Sequence, residues 1–189
     1  FLGKDFKLPV VPSNMRCVIN ESHAKWLSER GYFYIMHRFG VDNLEFVRAA
    51  QGWKTVSISV GVQEVDKYLL EQIAAEDLKL DYVTIDIAHG DSILMKEMLS
   101  HISSLSLDTK IIAGNVCTPE GYRRLVEWGA DAVKVGIGGG GVCSTKNKTG
   151  FTFPMYSCIT LIDRVRELND PPIIADGGVR EHADIVKAI

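Results

Sequence analysis

The sequence predicts a parallel α/β protein of the (β/α)8, or TIM, barrel class, with about seven β/α units visible. Three observations carry this. Short apolar runs alternate with amphipathic helical stretches from end to end. The runs are near-continuous Val, Ile and Ala, as in strands buried on both faces. Their starts recur at intervals of roughly 25 residues, which suits a strand, a helix and two connections.

The predicted strands are Leu8 to Val11, Tyr32 to Met36, Val56 to Val60, Tyr82 to Ile87, Lys110 to Val116, Ala132 to Ile137 and Pro172 to Asp176. Helices between them carry start signals. Asn20 and Glu21 precede HAKWLSER, and Thr118 caps EGYRRLVEWGA with Pro119 at the first helical position and Gly129 at its close. A doubly wound sheet shares the alternation, but its dinucleotide-binding form places G-x-G-x-x-G after the first strand. Here the Leu8 run leads into Pro12-Ser13-Asn14-Met15. A complete barrel takes about 250 residues. Residues 1–189 are therefore expected to be a single barrel domain cut short at both ends.

With 189 residues, 46% hydrophobic and 24% charged, the composition suits one globular domain with a sizeable core. The net charge of -3, from 21 basic and 24 acidic residues intermingled, offers no basic stripe for nucleic acid or an anionic membrane. No apolar run reaches the roughly 20 residues of a membrane span, and the N-terminus lacks the order of an export signal, so a cytoplasmic location is expected. Cys17, Cys117, Cys143 and Cys158 show no C-x-x-C spacing, which argues for thiols over bridges or zinc.

Catalytic groups of a barrel come from the C-terminal ends of its strands. Four such ends are unusual: Asn14, the run Asp86-Ile87-Ala88-His89-Gly90, Asn115, and Asp176-Gly177-Gly178. The sharpest feature is KVGIGGGGVCSTKNKTG, where Gly138 to Gly141 let backbone approach a ligand and Cys143 follows as a candidate nucleophile. Asp176 can accept ribose hydroxyls, and the glycines after it can present N–H groups to a phosphate at a helix start. Asp86 reads equally as a helix cap, and His37 as pocket lining or barrel rim.

GIGGGGVCSTK resembles the catalytic-loop signature of the IMP dehydrogenase and GMP reductase family, usually G-I-G-P-G-S-x-C-T-T-R. VPSNM, TIDIAHG, IAGNV and IIADGG follow the family's order and spacing over essentially the whole chain. His37-Arg38-Phe39 runs directly into VDNLEFV without a regulatory (CBS) insertion, and IDIAHG replaces D-S-S-Q-G. Both features favour the GMP reductase branch.

The resemblance implies NADPH-dependent reductive deamination of GMP to IMP and ammonia, with Cys143 attacking C2 of the purine and Thr145 aiding proton transfer. It implies substrate binding by Asn14, Met15, Gly141, Asp176, Gly177 and Gly178, and cofactor binding by Asp86, His89 and Gly90. It also implies a potassium ion on the carbonyls of Gly138, Gly140 and Cys143, and a homotetramer. The family's eighth strand, second phosphate turn, catalytic glutamate and flap would lie outside residues 1–189. Gly139 and Gly141 stand where proline and serine are usual, which keeps a nucleotide-binding scaffold open as a further reading beside IMP dehydrogenase.

Overall fold

The computed structural model describes residues 1–189 apart from Val142 and the side chains of Ser144 and Thr145. Among the described residues, β1 (Ser57–Val60), β2 (Tyr82–Asp86), β3 (Lys110–Val116), β4 (Ala132–Val135) and β5 (Ile173–Ala175) form one parallel sheet in sequential order. A doubly wound sheet would reverse its strand order, so the sequential order is that of a barrel wall, here partial.

The helices are α1 (Glu21–Arg30), α2 (Asn43–Ala49), α3 (Glu64–Ala75), α4 (Ile93–Ser104), α5 (Pro119–Glu127), α6 (Ser144–Thr149), α7 (Met155–Asp163) and α8 (His182–Ala188). Their expected caps are present. Asn20 Oδ1 accepts the His23 N–H at 3.0 Å, Thr118 Oγ1 accepts the Gly121 N–H at 3.1 Å, and Gly129 leaves α5 at a φ of +103°.

Two expected strands fall short. Residues 8–11 join no ladder, because Pro9 and Pro12 offer no N–H and the side chains of Leu8 and Val10 lie exposed. In the Tyr32 to Met36 run, Phe33 to Met36 are buried, but the run makes a single parallel bridge, Met36 to Ile58. The Ala132 strand ends at Val135, since Gly136 turns the backbone at a φ of +116°.

Period-two alternation divides the core. Ile58, Val60, Val83, Ile85, Val133 and Val135 join the large cluster that includes Leu70, Leu99, Tyr122 and Leu125 of the helices. Residues of the opposite parity, Tyr82, Ile112 and Ala132, form a smaller cluster with Phe33 and Ile35, against which Leu2, Phe6 and Val11 pack. Phe6, Phe33 and Tyr82 meet in tilted and edge-on ring contacts, centroids 5.0 to 6.2 Å apart, at the strand starts. Following the same parity upward, Thr84, Asp86 and Lys134 lie above that aromatic floor.

Ile85 is fully buried in the centre of this sheet. Ile85→Ala is expected to lower unfolding free energy by about 2–5 kcal/mol in urea titration. A loss below about 1 kcal/mol would contradict its place in the core.

Candidate active site

The strand register places three residues side by side: Asp86 pairs with Gly114, and Gly114 pairs with Lys134. Because Gly114 has no side chain, Lys134 can lie across it; a Cβ there would stand 2.6 Å from Lys134 Cβ and 2.7 Å from its carbonyl oxygen. The register then shifts between Gly114 and Val116, and this irregularity releases Asn115 from the ladder. Asn115 Nδ2 donates to Gly136 O at 2.9 Å and to Asp176 Oδ2 at 2.7 Å.

Lys134 is the hub, at 3% exposure. Its Nζ lies 3.1 Å from Asn14 Oδ1, 3.1 Å from Asp86 Oδ1 and 3.0 Å from Asp176 Oδ2. Asn14 closes the ring by donating from Nδ2 to Asp86 Oδ2 at 2.7 Å. Burial acts to lower the Lys134 pKa, but the charges of Asp176 and Asp86, with their hydrogen bonds, outweigh it and hold the group above its usual value. Both aspartates keep about a quarter of their side chains exposed, so they remain open to a ligand.

The glycine-rich loop meets the Asp176 turn backbone to backbone. A Cβ at Gly177 would stand 3.1 Å from Gly140 N, and one at Gly178 would stand 3.3 Å from Gly139 O. Both residues have positive φ, +90° and +82°, which glycine adopts without strain. Cys143 is half-buried at the N-cap of α6, and its N–H donates to Gly140 O at 3.2 Å. Thr145 lies in α6, and its side chain falls outside the described residues.

Of the expected site residues, the structure thus gathers Asn14, Asp86, Asp176, Gly140, Gly177, Gly178 and Cys143 at the C-terminal edge of the sheet. Gly138 is there too, at a φ of +80° with a would-be Cβ 2.4 Å from Thr152 Oγ1. Gly90 packs on the Asn115 peptide, to whose oxygen its N–H donates at 2.8 Å. Gly141 faces open space, Met15 is partly exposed, and His89 is exposed on the same turn as Asp86.

Lys134 was not anticipated as part of the site. Its one signal in the sequence was a charge inside an otherwise apolar strand, AVKV. Cys117 and Cys158 are buried, which raises both thiol pKa values, that of Cys158 to about 12, and keeps them protonated. No helix among the described residues is long and apolar enough to cross a membrane.

Comparison with known proteins matches residues 3–189 to the IMP dehydrogenase / GMP reductase domain. The chain belongs to the IMP dehydrogenase / GMP reductase family. Relatives named GMP reductase include those of Helicobacter pylori, 50% identical over 100% of this chain, Staphylococcus aureus strain JH9, 48% over 100%, and Delftia acidovorans, 46% over 99%. The chain covers 58% of the length of each of these relatives. The crystal structure of inosine 5' monophosphate dehydrogenase from Legionella pneumophila is 35% identical with a TM-score of 0.82, over 99% of this chain and 56% of that one. For a member of this family, the partial sheet is a stretch of TIM barrel wall, as the sequential strand order requires.

Gly177→Ala places a side chain at positive φ against Gly140 N, so a loss of about 1–3 kcal/mol is expected in denaturant unfolding; unchanged stability would remove the close contact from consideration. His37 is buried, and its Nδ1 accepts the Phe39 N–H at 3.1 Å, which requires that nitrogen to be unprotonated. Burial, then the charge of Arg16, lowers its pKa. The unfolded chain therefore binds the extra proton, and stability falls as pH drops through about 6.5. His37→Gln should lose less stability than wild type between about pH 7.5 and about pH 5.5, measured by urea titration, and equal losses would refute the assignment.

Proposed function

We propose that this site carries out the reductive deamination of GMP: GMP, NADPH and two protons give IMP, NADP+ and ammonium. The observation that carries the reading is the backbone contact between Gly139-Gly140 and Gly177-Gly178, which sets the Cys143 loop on the turn that bears Asp176. A thiol and a carboxylate borne on two loops in backbone contact suit a purine whose ribose is fixed on one side and whose base meets a nucleophile on the other. The family members named GMP reductase, at 46 to 50% identity, support this reading over IMP dehydrogenase.

In this reading Asp176 accepts the ribose hydroxyls, because its Oδ1 accepts no hydrogen bond from a described residue while Oδ2 is occupied by Asn115 and Lys134. Gly177, Gly178 and Gly141 present backbone N–H groups toward the phosphate, and Asn14 and Met15 border the base. Cys143 attacks C2 as the thiolate, forming the S–C2 bond; the exocyclic amine takes up protons and leaves as ammonia, with Thr145 assisting that transfer. NADPH, when bound, supplies the hydride to C2. The C2–S bond then breaks and returns the thiolate to Cys143.

The residues present suit that cofactor. Asn115 Oδ1 is buried with no partner among the described residues, so a carboxamide N–H would satisfy it, and Asp86, Gly90 and His89 border the same edge. The carbonyls of Gly138, Gly140 and Cys143 would hold potassium, whose charge would order the tight loop between them.

The full-length protein is expected to consume NADPH with GMP and to release IMP and ammonia in equal amounts. Cys143→Ala should lower turnover at least about 1000-fold while leaving GMP binding within a few-fold. Unimpaired conversion by the alanine variant, or oxidation of IMP with NAD in place of GMP reduction by wild type, would overturn the proposal.

A further inference from the structure

A lysine ammonium at 3% exposure has lost its water, and such a group persists only where protein acceptors replace that water. Lys134 has three N–H donors and three acceptors in reach: Asn14 Oδ1, Asp86 Oδ1 and Asp176 Oδ2. These acceptors come from distant parts of the chain. The two carboxylates, one on the cofactor side and one on the ribose side, are held by a single cation.

We propose that Lys134 is a positioning residue common to both halves of the site, seating the substrate ribose through Asp176 and the cofactor through Asp86 with one buried charge. This rests on the reading of those two aspartates as substrate and cofactor seats. The geometry requires a shared effect. If the cation is removed, two carboxylates face each other across the space it filled, and like charge drives them apart or protonates one. Asn14, which bonds both Lys134 and Asp86, loses one of its two anchors in the same step. Substitution of either aspartate, by contrast, leaves Lys134 paired with the other.

Lys134 differs in its expected effect from a residue that merely supports the fold. A fold defect reduces the fraction of active enzyme and leaves the affinities of the remainder unchanged. Loss of a shared positioning charge weakens both ligands in the folded protein.

The test is calorimetric titration of the full-length protein with GMP and, separately, with NADP+, which needs no turnover. Lys134→Met should raise both dissociation constants on the order of tenfold or more, the magnitude of a lost hydrogen bond to a charged group. Asp176→Asn should raise that of GMP alone, and Asp86→Asn that of NADP+ alone. Lys134→Arg, which keeps the positive charge and several donors, should recover both affinities to a greater degree than Lys134→Met.

If Lys134→Met does not fold, the Lys134→Met/Asp86→Asn variant removes one charge of each sign. Its GMP affinity should then be about tenfold weaker than that of Asp86→Asn. Equal affinities in that comparison, or a Lys134→Met variant that binds both ligands as wild type does or loses only one, would overturn the inference. Failure of wild type to bind either ligand would instead overturn the functional reading on which it rests.

Discussion

Lys134 holds the C-terminal edge of the sheet together because a buried ammonium accepts no loose arrangement around it. Its charge must be met by oxygens within about 3 Å or its desolvation goes uncompensated. That demand dictates the neighbours. Gly114 has no side chain because Lys134 packs across it, Asp86 ends β2 in register with that glycine, and Asp176 leaves β5 within reach of the same nitrogen. Asn14 ties in the N-terminal segment, which joins no ladder. Four separate stretches of chain are thereby fixed relative to one another by one charge.

The sheet below this hub divides by parity into two environments. One set of side chains meets the helices in the large core, and the other faces the inner side, where aromatic rings seal the strand starts and polar groups crown the strand ends. This polarity along the strands gives the site its depth: Lys134 lies two residues above Ala132 on the same face, apolar below and charged above. The same strand that contributes to the floor thus supplies the cation at the mouth.

Backbone contact does what side chains do not in the second half of the site. The Cys143 loop approaches the Asp176 turn through glycines on both sides, close enough that Cβ atoms would intrude. The Cys143 loop and the Asp176 turn are therefore positioned by main chain, which has little freedom to swing. Meanwhile Cys117 and Cys158, buried and held protonated, serve as packing. Chemical distinction among the thiols comes from burial, since all are the same residue.

Much of this was legible in the chain because it is written locally. Alternating Val and Ile runs mark strands, Asn20 and Thr118 mark helix starts, and the glycines before Cys143 and after Asp176 mark turns that need special backbone geometry. Other features depended on partners distant in sequence. Leu8 to Val11 has the composition of a strand, yet its prolines and exposure leave it without a ladder, and Tyr32 to Met36 pairs through one bridge only. Lys134 looks like a stray charge in AVKV until the register of β2, β3 and β4 sets Asp86, Gly114 and Lys134 abreast and the β5 turn delivers Asp176. Sequence by itself determined the fold class and the motifs at the strand ends, since both follow from local periodicity and turn chemistry. Tertiary structure alone decided which of those motifs share one buried cation, since a charge is neutralised through space and its acceptors lie 42 to 120 residues apart in the chain from Lys134.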